Sequence, residues 1–158
     1  MARKDISLSD EERARLLENG HTIVVGSVGR DGMPHLAPMW YVMQDDKIVF
    51  RSFTKSQKIV NLRRDPRITI LLETGEAYEE LRGVMIRGRA VLIDDPAYTL
   101  RVYGMLAAKY AMVGGEPVTL DDEALEAAFG RFASKNTSVI VEPERIASWD
   151  HTKLGGAY

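Results

Sequence analysis

Between Arg51 and Arg64 the sequence carries five cations (Arg51, Lys55, Lys58, Arg63 and Arg64) and no acid, in a chain whose formal net charge is −2. Thr54-Lys55-Ser56-Gln57-Lys58 falls where the pattern predicts the start of a helix. Lysines there face the positive end of the helix dipole, which disfavours them by on the order of a few tenths of a kcal/mol or more. Hydroxyls, ammonium groups and free backbone amides converging at a helix start are what a bound phosphate requires. Arg51, at the end of the preceding strand, reaches the same spot if its side chain lies on that face. The competing reading is a solvated helix start with snorkelling lysines. Arg63 and Arg64 fit that reading, because cations near a helix C-terminus suit the dipole.

Two further segments carry functional groups. Pro38-Met39-Trp40-Tyr41 sets an aromatic and a soft thioether on a strand already interrupted at Pro34, an arrangement suited to a flat ring hydrogen-bonded at its edge. A core Trp alternating with Tyr explains the same residues equally well. The tail Ser148-Trp149-Asp150-His151-Thr152-Lys153 is rich in side-chain chemistry for a terminus, and its Trp suggests docking on its own body or on a second subunit.

Other chemistries lack their residues. The absence of Cys excludes disulfides, thiolate catalysis, Cys-ligated zinc and iron–sulfur clusters. There is no G-x-S-x-G, no Walker A sequence and no G-x-G-x-x-G between a strand and a helix. His21, His35 and His151 form no i, i+4 pair, so no metal is expected. Tyr41 and His35 could donate a proton, but a structural role is the simpler reading of each, and no catalytic residue is assigned. The charge balance gives no nucleic-acid footprint. No apolar run approaches the roughly 18 residues that span a bilayer, and no signal-peptide core follows Met1, so a soluble cytoplasmic protein without a membrane partner is expected.

The elements that must position these groups follow from pattern. The 158 residues form one expected domain, 1–158. Ser9-Asp10-Glu11-Glu12 is a capping box opening a helix within 1–20, stopped at Asn19-Gly20 with Gly20 left-handed. Strands are predicted over His21–Val28, Met33–Met43, Ile48–Phe53, Arg67–Glu73, Leu81–Ile93 and Thr137–Glu142. Helices are predicted over Thr54–Arg64, after Asp95-Pro96 with Leu100, Tyr103, Ala107 and Tyr110 inward, and from Thr119 with Leu125, Ala128, Phe129 and Phe132 inward. Val113–Val118 reads as a loop and Arg145–Tyr158 as a tail. Hairpin-linked strands with inserted helices indicate α+β architecture, mainly β, in an antiparallel barrel or curved sheet.

From about Thr22 to Trp149 the sequence resembles the split-barrel flavin/deazaflavin oxidoreductases, the superfamily of the pyridoxamine 5′-phosphate oxidases. The resemblance rests on Thr22-Ile23-Val24, Asp31-Gly32-Met33-Pro34-His35, Pro38-Met39-Trp40, Phe50 through Lys58, Asn61 through Arg67, and the Gly83–Gly88 strand. It implies a six-stranded antiparallel split β-barrel with peripheral helices, assembled as a homodimer with two sites at the subunit interface. It also implies a cofactor phosphate held by Arg51, Thr54, Ser56 and Lys58 within the block that includes Ser52 and Lys55, and a ring along Pro38, Met39 and Trp40. Trp149, His151 and Lys153, in the 145–158 tail, would reach in from the other subunit. Hydride chemistry then belongs to the cofactor.

The tail reads Lys153-Leu154-Gly155 where pyridoxamine phosphate oxidases carry a substrate-binding Arg-Leu-His element, which points away from the vitamin substrate. The Arg63-Arg64-Asp65-Pro66-Arg67 run and terminal Ser148-Trp149-Asp150 look more like the branch that uses the deazaflavin coenzyme F420. Its anionic tail would suit a groove containing Lys55, Arg63 and Arg64. The expected function is therefore hydride transfer between coenzyme F420 and a small conjugated organic substrate. An FMN-dependent oxidoreductase of the same fold and a non-catalytic flavin- or F420-binding protein are the alternatives.

Overall fold

The computed structural model describes residues 4–112 and 114–155; Val113 of the expected loop, the first three residues of the chain and residues 156–158 of the expected tail lie outside them. Strands β1 (Ile23–Val28), β2 (Pro34–Met39), β3 (Val42–Gln44), β4 (Lys47–Phe53), β5 (Arg67–Thr74), β6 (Arg82–Ile93) and β7 (Asn136–Asp150) form one antiparallel sheet in the order β2-β1-β5-β6-β7-β4-β3. Helices α1 (Asp10–Asn19), α2 (Gln57–Arg64), α3 (Pro96–Lys109) and α4 (Asp122–Ala133) surround it. The α+β, mainly antiparallel architecture therefore stands, with seven strands where six were expected.

The extra strand arises at Trp40-Tyr41. The predicted strand over Met33–Met43 breaks there into β2 and β3, because the Tyr41 amide leaves the ladder and donates to the hydroxyl of Tyr110 at 3.2 Å. The two pieces are the opposite edges of the sheet, yet Met39 and Val42 are only three residues apart. A trans chain covers at most about 11 Å in that distance, so the sheet must curl until its edges nearly meet. The curled sheet encloses the first core cluster, which includes Ile23 and Val25 of β1, Phe50 of β4, Ile70 and Leu72 of β5, and Val139 and Val141 of β7. Burial alternates strictly along β1, so a one-residue slip would turn Ile23 and Val25 to the outside. Ile59 and Leu62 of α2 and Leu17 of α1 complete that cluster.

Outside the sheet, Val49 and Val42 pack against Val102 and Leu106 of α3 and against Tyr110, the residue that ends it. Helix α4 covers α3 with Leu125, Phe129 and Ala133, and Phe129 stacks on Tyr103 at 4.7 Å between ring centroids. That seam follows a four-residue spacing, so Phe132, expected to face inward, is 41% exposed. The α4 cap is Asp121, not Thr119; its carboxylate accepts from the Ala124 amide at 2.8 Å.

Three other boundaries differ. Helix α1 has the expected capping box, Ser9 with Glu12, but Gly20 is extended (φ −64°, ψ 148°) rather than left-handed. Close packing accounts for this glycine: a Cβ would come within 2.5 Å of both the Leu72 side chain and the Tyr41 hydroxyl. Helix α2 begins at Gln57, because Thr54–Ser56 form a turn closed by the Ser56 amide on the Phe53 carbonyl at 2.8 Å. The last strand continues through Pro143 to Asp150, since a register shift opposite Arg87/Gly88 absorbs the missing amide. The first part of the expected tail, Arg145 to Asp150, is thus strand, followed by a 3-10 turn over His151–Leu154. No helix among the described residues is long and apolar enough to cross a membrane.

The buried Tyr110 hydroxyl accepts from the Tyr41 amide and donates to the His21 carbonyl at 2.8 Å or the Tyr41 carbonyl at 2.9 Å. Tyr110→Phe removes every one of these bonds while keeping the ring. Chemical denaturation should show a loss of about 1–3 kcal/mol, the cost of stranding buried backbone groups. An unchanged midpoint would mean that the break between the sheet edges is held by something else.

Candidate functional site

Strand β4 divides the predicted site. Side chains alternate across a strand, so Phe50 and Ser52 point into the curl while Val49 and Arg51 point toward α3. The predicted phosphate residues are consequently separated into two groups by the backbone that carries them.

On the inner side, Ser52, Ser56 and Lys58 form one cluster. Ser52 and Ser56 share a hydrogen bond of 3.0 Å between hydroxyls, and Lys58 Nζ donates to the Ser52 hydroxyl at 3.2 Å. Ser56 stands at the N-cap of α2 without capping it by its side chain, and the first intrahelical bond runs from the Val60 amide to the Ser56 carbonyl. The amides of Gln57, Lys58 and Ile59 therefore have no partner within the helix. Lys58 makes no ion pair among the described residues, and its half-buried position lowers its pKa from the ordinary lysine value. A cation, two hydroxyls and a helix start converge with no acid between them, which suits a phosphate.

Thr54 and Lys55 border this cluster without joining it. The Thr54 hydroxyl bonds that of Thr137 at 3.0 Å, and Thr137 in turn donates to Asp94 at 2.7 Å. Arg63 holds Asp94 through two bonds of 2.8 and 2.6 Å, and with Thr137 it keeps the Asp94 carboxyl down at about 2. The function of this chain of contacts is to anchor the turn after β4. Lys55 is exposed. Arg63 is committed to Asp94, and Arg64 donates to the Val28 carbonyl and to Asn61, so neither is a free cation for an anionic tail.

On the outer side, Arg51 joins Pro38, Met39 and Trp40, with Thr22 and Leu106, around a cavity of about 420 Å³. The Arg51 guanidinium lies over the Tyr103 ring at 4.3 Å and reaches Asn136 Oδ1 only at 3.5 Å. Its Nε is buried with no hydrogen-bond partner, and burial pulls its pKa below the ordinary arginine value, an effect that Tyr103 opposes. Trp40 stacks on Tyr110 at 4.6 Å with 7° between planes, and His21 meets both rings edge-on. Beneath them Lys109 Nζ, itself without a hydrogen bond, sits 4.0 Å from the Tyr41 ring centroid. The apolar wall and unpaired guanidinium suit a flat ligand bearing a negative group.

Sequence reasoning did not assign Thr22, His21, Asn136, Tyr103 and Tyr110 to this site. Tyr103 and Tyr110 are recognisable only as two phenols seven residues apart on an otherwise apolar helix face, which reads as core.

The carboxy-terminal candidates lie elsewhere in the chain. Trp149 covers Gly83, where a Cβ would come within 2.0 Å of the indole. His151 Nδ1 meets the Tyr78 carbonyl at 2.8 Å, and Lys153 binds Glu12 at 2.6 Å and the Ser7 carbonyl at 2.8 Å. Asn136 pairs with Phe53 at the end of β4, while Trp149 pairs with Gly83 thirteen residues further along β7. That separation is about 40 Å of strand at roughly 3.3 Å per residue, so these residues do not meet the Lys58 cluster within one chain. Among the described residues no group of His, Asp and Glu is placed to hold a metal ion.

Comparison with known proteins agrees with this architecture. The family model for pyridoxamine 5′-phosphate oxidase matches residues 9–150. The conserved hypothetical protein Rv2991 from Mycobacterium tuberculosis is 37% identical, with a TM-score of 0.86 over 100% of this chain and 94% of that one. An F420 reductase is 22% identical, with a TM-score of 0.64 over 84% of this chain and 93% of its own. A FAD-binding protein from Mycobacterium smegmatis is 18% identical, with a TM-score of 0.57 over 89% and 95% of the two chains. No curated protein matches. With its match spanning most of the sequence, the chain belongs to the pyridoxamine 5′-phosphate oxidase family.

Proposed function

We propose that this protein is an oxidoreductase that binds coenzyme F420 and transfers hydride between it and a small conjugated organic compound. The observation that carries the reading is the acid-free cluster of Ser52, Ser56 and Lys58 at the uncapped start of α2. Those residues would hold the cofactor's phosphate, with Lys55 at the rim for the rest of an anionic tail. The deazaflavin supplies the hydride when bound. The chain's own contribution is to grip, orient and shield. Pro38, Met39 and Trp40 provide an apolar wall for the ring, and the stack on Tyr110 fixes the Trp40 plane.

FMN is the second reading: the fold occurs in a FAD-binding protein, so it accommodates a flavin, and the cluster asks for a phosphate without specifying what the phosphate carries. The choice of F420 draws on the similarity in fold to an F420 reductase and on the exposed Lys55, since Arg63 and Arg64 are otherwise engaged. A homodimer completes the proposal. Trp149, His151 and Lys153 can approach a site of this kind only on a second copy, given their distance from it along β7. Cytoplasmic action is part of the same proposal.

The double substitution Ser56→Ala with Lys58→Met should weaken cofactor binding by about 2–4 kcal/mol, as expected for charge-assisted contacts. Parallel fluorescence titrations with F420 and FMN measure this and identify the cofactor; wild-type affinity in the variant would remove the phosphate assignment. Tight binding without turnover against a panel of conjugated acceptors would instead indicate a cofactor carrier.

Affinity should also fall in alkali. Burial favours the neutral form of free Lys58, whereas a bound phosphate favours the ammonium. Binding therefore takes up a proton, and affinity is full below the lowered pKa and declines as pH rises through it, beginning under the ordinary value of 10.5. Lys58→Arg should move that decline upward, and a flat profile in the wild type would count against Lys58 as the phosphate ligand.

Sedimentation equilibrium should give about twice the 17.7 kDa chain mass. A monomer retaining full cofactor affinity would leave Trp149, His151 and Lys153 without the proposed role.

A further inference from the structure

Arg51 is left over once the phosphate has been placed. Its side chain is on the opposite face of β4 from Ser52, and its guanidinium faces the cavity walled by Pro38, Met39, Trp40 and Leu106. A guanidinium has five N–H donors. The only protein acceptor described for this one is Asn136 Oδ1 at 3.5 Å, and buried Nε has none. No carboxylate pairs with it among the described residues. Tyr103 holds the group from beneath by a cation–π contact, which fixes its plane without satisfying its donors. A half-buried cation in this condition is costly unless a ligand supplies the missing anion.

The surroundings select the kind of anion. A phosphate needs several donors, and this cavity offers one guanidinium fork and Thr22 beside apolar walls. A planar carboxylate matches the fork through two parallel hydrogen bonds. A cofactor ring held against the wall of Pro38, Met39 and Trp40 would turn its free face to the second reactant, which favours a flat unsaturated body attached to that carboxylate. We propose that Arg51 anchors the carboxylate of the second reactant, so that the substrate class is conjugated carboxylic acids. The assignment rests on the oxidoreductase reading above and names what that site accepts besides its cofactor.

Cinnamate and its neutral isostere cinnamamide provide the test, titrated calorimetrically into the wild-type protein with and without bound cofactor. Cinnamate should bind at least about tenfold more tightly than the amide, and Arg51→Met should abolish the difference while costing F420 or FMN less than about tenfold in affinity, well short of the loss expected for Ser56→Ala with Lys58→Met. Equal binding of the two probes to the wild type, or binding of neither, overturns the proposal without reference to any variant. Loss of cofactor affinity in Arg51→Met as large as that expected for Ser56→Ala with Lys58→Met overturns it as well, by assigning Arg51 to the cofactor's phosphate and leaving the functional reading intact. Should the wild type prefer cinnamate yet bind neither cofactor, the functional reading fails, and with it the role of the acid as second reactant.

Discussion

Two residues join the opposite edges of the sheet, and the arrangement of the candidate site follows from that constraint. With β2 and β3 at the two ends of a seven-strand order and only Trp40-Tyr41 between them, the sheet has no flat solution. Closing it places Pro38, Met39 and Trp40, from one edge, beside Arg51, from the strand next to the other edge. The closure is held by polar contacts as well as apolar packing. Tyr110 takes up backbone groups of Tyr41 and His21 that the ladder leaves unpaired, and its ring supports Trp40. Lys109 contributes a buried cation against the Tyr41 ring, a contact that resists removing Tyr41 from its place.

Strand β4 then distributes positive charge to two places rather than one. Ser52 faces the start of α2 and meets Ser56 and Lys58; Arg51, one residue earlier, faces α3 and Tyr103. A strand positions adjacent residues on opposite sides at no additional cost, so one short segment presents a hydroxyl to the start of α2 and a guanidinium to a separate cavity. The bidentate Arg63–Asp94 pair and the Thr54–Thr137 contact keep the intervening turn in register with β7.

Much of this was legible in the sequence where local chemistry decides it. The capping box at Ser9, the Asp95-Pro96 helix start and the alternating β1 are local signals, and each element appears where its residues place it. The acid-free run from Arg51 to Arg64 pointed to the Ser52–Lys58 cluster for the same reason. What the sequence could not convey depended on distant partners. The break at Tyr41 needs Tyr110, 69 residues away, and the extended Gly20 needs Leu72. The continuation of β7 through Pro143 depends on the register shift between β7 and β6 opposite Arg87 and Gly88. The face of β4 from which Arg51 projects depends on strand parity relative to α3, which composition does not encode. Arg63 and Arg64 looked like available charge until Asp94 and the Val28 carbonyl were found against them.

The proposed cofactor is gripped by its phosphate at the Ser52–Ser56–Lys58 cluster. A crystal structure of the protein with F420 or FMN tests it most directly. Phosphate oxygens are expected within hydrogen-bonding distance of Ser56, Lys58 and the first amides of α2, with the ring along Pro38–Trp40. A phosphate seated elsewhere, or on Arg51 with the α2 start open to water, would contradict it.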